Sequence, residues 1–343
     1  MTDEEAVEFL RAMLSIESHT GGEAAAVRFL VETFTRLGLD GNVDSAGNAI
    51  GHSHGEGRRL MFLGHVDTVP GVIPVRVEGG SIFGRGAVDA KGPLAAAIVA
   101  ASRNGGGHNL TIVGAVGEEG PSYGARHLAT GPSPDALIIG EPGQADSIVL
   151  GYKGSMRAHI TFTQPSAHSA GASTGACDNA IEAWERVRTT ATRMSPNGSG
   201  FNSLTPTLLE LASANDGMTQ RATLHAGFRL PPDLDLDDTR SRIALAVQPG
   251  SVEFDHADPA FVAPKNTALV ASFLRAIRSE DARPRFKMKT GTSDMNVVGP
   301  VWGCQAVAYG PGDSSLDHTP NEHIEIEEYL RGIRVLTRVF EDW

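Results

Sequence analysis

The chain contains the stretch Gly64-His65-Val66-Asp67-Thr68-Val69-Pro70, which directly follows the apolar run Leu60–Leu63. A short apolar run bounded by a turn is typical of a buried strand, so His65 and Asp67 are expected where that strand ends. Open α/β sheets place their functional sites at the carboxyl ends of their strands. The stretch therefore predicts an α/β sheet with a site at this edge.

Strands and helices alternate along the rest of the N-terminal half. Leu110–Val116 and Ala136–Ile139 have the composition of buried strands, and helices are expected near Pro93–Ser102 and Tyr123–Thr130. An earlier helix is expected to begin near Thr20, with Glu23 as its capping-box partner. Alternation of this kind predicts an α/β sheet covered by helices on both faces.

The middle of the chain follows a different order of elements. Its predicted strands and helices are Ser155–Thr163, Asn179–Thr192, Ser203–Ser213, Gln220–Leu230, Leu236–Val247 and Ser251–Asp255. The order β-α-β-β-α-β is ferredoxin-like, and such a unit folds by itself. We therefore expect one domain formed by residues 1–152 and 263–343, with a ferredoxin-like α+β domain over 153–262 inserted into it.

Further acidic and imidazole side chains occupy positions similar to that of His65. Glu118 and Glu119 follow the second strand, Glu141 follows the third, Asp89 lies in a glycine-rich turn, and His318 comes from a distant loop. Two imidazoles and several carboxylates suit a pair of divalent ions, with one carboxylate left as a general base. The residue types therefore predict a two-metal hydrolase.

These residues also have structural interpretations. Adjacent glutamates in a loop are commonly solvated, and Asp89 could form an ion pair with Lys91 in its turn. Asp67, two residues after His65, could accept a hydrogen bond from one ring nitrogen of His65 and so fix its tautomer. It is the combination of these residues at strand ends that favours the metal site.

Composition sets limits on the function. The 343 residues carry a formal net charge of -12, with 41% hydrophobic and 20% charged residues, as in an ordinary globular protein. This charge argues against binding to nucleic acid or to an anionic membrane. Cys177 and Cys304 are expected to be reduced thiols, and the N-terminus lacks the features of a signal peptide. A cytoplasmic protein is expected.

The five motifs, taken in order, resemble the dinuclear-zinc aminoacylase and carboxypeptidase family, which includes acetylornithine deacetylase and succinyl-diaminopimelate desuccinylase. The resemblance covers essentially the whole chain. It implies a zinc-exopeptidase-like catalytic domain with a mixed sheet covered by helices. It also implies that the inserted domain serves as a lid and in homodimer formation. Two divalent metal ions would be bound, zinc in the first place and cobalt as an alternative.

The resemblance also implies a role for each site residue. The metal ligands would be His65 and Glu141 at one ion, Glu119 and His318 at the other, and Asp89 between them. Glu118 matches the general base, and Asp67 matches the acid behind the first histidine. His168, in Ser166–Ala170, matches a lid histidine that stabilises the oxyanion in the partner subunit's site.

Within the family, four segments are similar to the hydrolases that release lysine or ornithine from the amino-group carrier protein LysW. They are Gly71–Arg76, Gly84–Pro93, Lys289–Asn296 and Gly310–Pro320. The similarity implies that the carrier is the partner and that the enzyme serves lysine or arginine biosynthesis. Substrate binding is assigned to Arg229, Lys289, Gly291 and Thr292, although Arg229 could equally form a surface salt bridge.

A further feature needs no family resemblance. The basic residues Arg283, Arg285, Lys287 and Lys289 alternate with period two, so on a strand they would share one face. This basic strip could be a solvated strand edge. Alternatively, it could dock an acidic partner such as the carrier protein.

Two other functions stay open. The chain could be an N-acetyl-lysine or N-acetylornithine deacetylase, or a related N-acyl amino acid amidohydrolase. It could also be a metal-binding protein without catalytic activity. The presence of Glu118 beside the complete ligand set argues against the inactive protein.

Overall fold

The computed structural model describes residues 1–104, 108–168, 174–195 and 198–343. The described residues form two compact units, each with most of its contacts inside itself. The first consists of Met1–Gly151, Ala263–Met288 and Ser293–Trp343, and the second of Tyr152–Val262 and Lys289–Thr292. The short segment Lys289–Thr292 was expected to belong with residues 263–343, but it groups with the second unit.

A mixed sheet forms the centre of the first unit. Its strands are β1 (Asp40–Val43), β2 (Ala49–His52), β3 (Glu56–His65), β6 (His108–Ala115), β7 (Ala136–Ile139), β8 (Ser147–Tyr152), β14 (Arg285–Lys289) and β15 (Gln305–Ala308). The strand order is β1-β2-β6-β3-β7-β15-β8, and β14 also pairs with β8. Strand β3 is parallel to β6 and β7, and β15 is parallel to β7.

Helices and a small antiparallel sheet complete the first unit. The helices are α1 (Asp3–Leu14), α2 (Ala24–Arg36), α3 (Lys91–Arg103), α4 (Tyr123–Ala129), α7 (Ala268–Arg278), α8 (Asp294–Trp302) and α9 (Ile326–Asp342). The small sheet contains β4 (Arg76–Glu78), β5 (Ser81–Phe83) and β16 (His323–Glu325). Helix α3 is buried from Lys91 to Ala100, because α1 and α9 pack against it. The predicted α/β sheet covered by helices is confirmed.

The second unit has its own core. Its elements are β9 (Gly154–Pro165), α5 (Ala176–Met194), β10 (Thr205–Asn215), β11 (Thr219–Leu230), α6 (Leu236–Ala246), β12 (Ser251–Phe254) and β13 (Phe261–Val262). Four of the strands form an antiparallel sheet in the order β10-β11-β9-β12. Alternate residues of β9 and β11 are buried with apolar residues of α5 and α6, as the period of two requires. From β9 to β12 the elements follow the order β-α-β-β-α-β.

The N-terminus of α2 differs from the prediction. The helix begins at Ala24 with Glu23 as its N-cap, and no side chain caps it. Thr20 instead donates a hydrogen bond from its hydroxyl to Oδ2 of Asp67, at 2.8 Å. Local sequence favoured the capping box, but the Thr20 hydroxyl serves as a donor to a buried carboxylate 47 residues away.

Among the described residues, no helix combines the length and the apolar character required to cross a membrane.

We expect Asn48→Ala to lower the free energy of unfolding by about 1–3 kcal/mol, because it leaves buried backbone groups without partners. The Asn48 side chain accepts from the amide of Val116 and donates to the carbonyl of Gly124, at 3.0 and 3.1 Å. Denaturant titration measures the loss. The matched control is Asn42→Ala on exposed β1, which should change stability by less than about 0.5 kcal/mol. Equal effects of the two substitutions would contradict this role of Asn48.

Candidate metal centre

The carboxyl ends of parallel strands bring the predicted residues to one edge of the sheet. His65 is the last residue of β3, and Glu141 follows the end of β7 by two residues. Glu118 and Glu119 follow the end of β6. Because β3 lies between β6 and β7, the three strand ends are neighbours and their polar side chains converge.

Asp89 lies between the two histidines. Its Oδ1 is 3.2 Å from Nε2 of His65, and its Oδ2 is 3.0 Å from Nε2 of His318. The carboxylate is largely buried, so water competes little for its oxygens. Each oxygen thus faces a different imidazole, which is the arrangement that a carboxylate bridging two cations requires. Lys91 does not pair with Asp89; its ammonium donates to the carbonyl of Ile16 at 2.6 Å.

The donor atoms fall into two groups, each within 4.8 Å of one another: His65, Glu118 and Glu141 in the first, and Asp89, Glu119 and His318 in the second. Around Nε2 of His65, the nearest oxygens of Asp89, Glu141 and Glu118 lie at 3.2, 3.6 and 3.9 Å. Glu118 is therefore the most distant of the three carboxylates.

Asp67 is fully buried behind the site and contacts three of its residues. Nδ1 of His65 lies 2.9 Å from the backbone carbonyl of Asp67 and 3.5 Å from its carboxylate. The carboxylate oxygens also accept from the amides of Glu118 and Glu119, each at 3.1 Å. Asp67 therefore contacts His65 through its main chain and its carboxylate, and the two glutamates through its carboxylate.

Two residues that the motifs did not single out hold the Asp89 turn in place. Glu322 is 1% exposed, and its Oε1 accepts from the amides of Val88 and Asp89 at 3.0 and 3.1 Å. Its Oε2 accepts from the guanidinium of Arg85 at 2.8 Å. No local pattern marks Glu322 as functional, because it acts on a turn 233 residues away.

The pKa values show that the cluster carries more negative charge than its imidazoles balance. Burial raises the pKa of Glu118, and the neighbouring Glu141 adds to the rise. Hydrogen bonds that the His318 ring donates to the Asp89 and Glu119 carboxylates raise its pKa to about 10. Burial opposes protonation of His65, yet its contacts with Asp67 and Asp89 raise its pKa well above the usual range. Positive charge is therefore favoured among these carboxylates, and divalent ions fit the donor set.

Asp294 is another buried acid that the sequence analysis did not assign. It is the first residue of α8 and 3% exposed, and burial raises its pKa to about 7. Among the described residues, its Oδ1 has no hydrogen-bond partner. Its charge also contributes to the raised pKa values of Glu118 and Glu141. A signal was available, because Asp294 lies in a segment that resembles the LysW branch.

Most of the residues assigned to substrate binding lie together in the second unit. The Arg229 guanidinium donates to the hydroxyl of Thr292 at 2.8 Å, and a Cβ at Gly291 would meet open space. The carbonyl of Lys289 accepts from the amide of Lys153, a buried residue that the sequence analysis missed. The Lys153 ammonium bonds to the carbonyl oxygens of Gly200 and Ser203.

His168, which the family resemblance assigned to the oxyanion, is exposed. His168 follows the end of β9 by three residues, and Ser169 and Ala170 of its motif lie outside the described residues.

The basic strip is only partly as predicted. Strand β14 begins at Arg285, so Arg283 precedes the strand. The Arg285 guanidinium lies 2.6 Å from a carboxylate oxygen of Asp146, and the Lys287 ammonium donates to the carbonyl of Gly143 at 2.8 Å. Two of the four basic side chains, Arg285 and Lys287, therefore already interact with other residues of the chain.

Known proteins resemble this chain over its whole length. A LysW-lysine hydrolase of Deinococcus radiodurans is 42% identical over 342 residues, covering 96% of this chain and 94% of the relative. A LysW-lysine/LysW-ornithine hydrolase of Saccharolobus islandicus is 29% identical over 348 residues, covering 100% and 97%. An M20 family metallo-carboxypeptidase from Sulfolobus solfataricus shares the fold, with a TM-score of 0.80, 19% identity and 98% of each chain covered. Residues 61–342 match peptidase family M20/M25/M40, and the chain belongs to this family.

Proposed function

We propose that the chain hydrolyses the amide that joins lysine or ornithine to the amino-group carrier protein LysW, in the cytoplasm. The proposed chemistry is supported by the position of Asp89, whose two carboxylate oxygens face the two imidazoles. The choice of substrate rests on the relatives, of which one at 42% identity is named a LysW-lysine hydrolase. A role in lysine or arginine biosynthesis follows from that substrate.

Family membership confirms the predicted hydrolase class and implies divalent metal ions. We propose two ions, zinc in the first place and cobalt as an alternative. His65 and Glu141 would hold one ion, Glu119 and His318 the other, and Asp89 both. When bound, such ions polarise a carbonyl group and lower the pKa of water.

Glu118 is the proposed general base. Its carboxylate is buried, and Asp67 fixes its backbone through the amide hydrogen bond. In the proposed reaction, Oε2 of Glu118 takes a proton from the attacking water and then delivers it to the leaving nitrogen. Lysine or ornithine leaves as the amine, and the carrier keeps the carboxylate. The raised pKa of Glu118 suits a group that must hold a proton between these two steps.

Substrate binding is assigned to the second unit. Arg229, already oriented by Thr292, would bind a carboxylate of the substrate, with Gly291 leaving room beside it. Lys289 would add a second cation. His168 would donate to the developing oxyanion. By the family resemblance, it would act in the partner subunit's site.

The proposed homodimer has a suitable surface in β10. This eleven-residue strand lies at the edge of its sheet, and Leu209 and Leu211 on it are 57% and 50% exposed. An exposed strand edge offers a row of backbone groups for pairing with another chain. We propose that β10 contributes to the contact between two copies.

We expect Glu118→Gln to retain both metal ions and to lower kcat by at least about 10²–10⁴-fold, because the amide cannot transfer the proton. Elemental analysis gives the metal content, and release of lysine from the carrier gives the rate. Glu32→Gln, at an exposed position on α2, is the matched control and should retain the wild-type rate. A Glu118→Gln enzyme with near wild-type turnover would refute the role of the base.

We expect Glu322→Gln to weaken metal binding by about 10- to 100-fold, as is typical when a partner behind a ligand is altered. The amide presents a donor group to Arg85 or to the Asp89 turn, where the carboxylate accepts on both sides. Metal affinity is measured by competition with a chelator. Glu325→Gln, three residues further along the chain at the exposed end of β16, should leave the affinity unchanged. Unchanged affinity in both variants would show that the turn does not depend on Glu322.

We expect charge reversal of the exposed Arg283 to lower kcat/KM for the carrier-linked substrate but not for acetyl-lysine or acetyl-ornithine. An acidic carrier is steered by surface charge, whereas a small substrate gains little from it. Arg278→Glu, at an exposed position on α7, is the control. Equal loss on all substrates, or loss on none, contradicts docking by the strip. Faster turnover of the acetylated substrates by the wild-type enzyme would favour the deacetylase.

A further inference from the structure

A row of imidazole and carboxylate side chains crosses the sheet of the second unit. Cross-strand pairing joins Glu210 to His225, His225 to His159, and His159 to Glu253. The residues next to each histidine in its own strand are buried in the core, so the two rings lie on the opposite, polar face. We call these four residues the histidine row. Directly paired residues have Cβ atoms about 4.5–5.5 Å apart, close enough for their side chains to share a ligand.

The two imidazoles touch, and each also contacts a carboxylate. Their ring centroids are 4.6 Å apart, with an angle of 78° between the planes. Nε2 of His159 lies 3.2 Å from Oδ2 of Asp255, and Nδ1 of His225 lies 3.2 Å from Oε2 of Glu210. Both histidine side chains are 44% exposed, so the rings can turn without disturbing the core.

A carboxylate beside each ring is also a feature of metal-binding histidines. A metal-ligating imidazole typically donates its second N–H to a carboxylate, which fixes the tautomer and raises the basicity of the other nitrogen. Here Asp255 and Glu210 occupy that outer position. Within the described residues, Nδ1 of His159 and Nε2 of His225 make no hydrogen bond and remain available.

We propose that His159 and His225 form a further metal site, which binds one divalent ion of the copper, nickel or zinc class. Imidazole nitrogen favours these ions, with Cu²⁺ bound most tightly. The inference does not depend on the proposed function, because the histidine row belongs to the second unit and the catalytic ligands to the first. Occupancy would link the central strands β9 and β11 and so stabilise the folded second unit.

Another histidine pair in the chain provides a matched control. His52 and His54 have ring centroids 4.7 Å apart at an angle of 85°. Nδ1 of His52 contacts the hydroxyl of Thr111 at 3.0 Å, and Nε2 of His54 lies 3.6 Å from Oδ2 of Asp40. Ring contact alone is thus common to both pairs, whereas a carboxylate within 3.2 Å of each ring belongs to the His159–His225 pair.

The test compares three forms of the full-length protein: wild type, His159→Asn/His225→Asn and His52→Asn/His54→Asn. Each is loaded with Ni²⁺, passed through gel filtration and analysed for metal per chain. We expect the first double variant to retain one ion fewer than wild type, to lose part of the Ni²⁺-induced rise in Tm and to keep its hydrolase activity. The second double variant should match wild type. In a Cu²⁺-loaded sample, the electron paramagnetic resonance spectrum should lose one nitrogen-coordinated species only in the first variant.

A third variant tests the outer carboxylate. Asp255→Asn should weaken binding at the further site by about 10- to 100-fold while leaving both histidines in place. The proposal is overturned if His159→Asn/His225→Asn retains as much Ni²⁺ as wild type, or if both double variants lose the same amount. Loss of the ion from wild type during gel filtration would also overturn it, because the binding would then be adventitious.

Discussion

The concentration of buried negative charge at one sheet edge is the constraint on which the rest of the first unit depends. Four carboxylates from three separate loops meet around two imidazoles, and burial makes their mutual repulsion costly. Such a cluster persists only if cations or protons compensate it and if the backbone holds each group in place. The partly parallel sheet meets the second condition, because its strand ends are fixed by hydrogen bonds to their neighbours.

The sequence was informative wherever function depends on residues close together in the chain. Buried strands such as Ala136–Ile139 were predicted with their observed bounds, because a continuous apolar run reports burial directly. The members of the two donor groups also stand in local motifs, so His65, Asp89 and Glu141 could be named as candidates from the sequence. Convergence of His65 and Glu141 followed from one rule, that the carboxyl ends of parallel strands share an edge.

Contacts over long sequence separations were not predictable. Glu322 supports a turn 233 residues away, and Thr20 donates to a carboxylate 47 residues away instead of capping its own helix. No periodic pattern in the sequence indicates such pairs, since each forms only after the strands have assembled. Asp67 shows the same limit at short range. Its position behind His65 was evident, but its choice of the Glu118 and Glu119 amides depends on where β6 ends relative to β3.

The adjacent glutamates show that the conformation of a loop decides where its charged side chains point. On a regular strand, Glu118 and Glu119 would point to opposite faces. Here the chain turns at Gly117 with a φ of 76°, and a Cβ there would lie 2.2 Å from the Tyr123 ring. Asp67 then fixes both following amides. One carboxylate therefore reaches the His65 group and the other the His318 group. A single anchored turn thus directs two identical side chains into the two different donor groups.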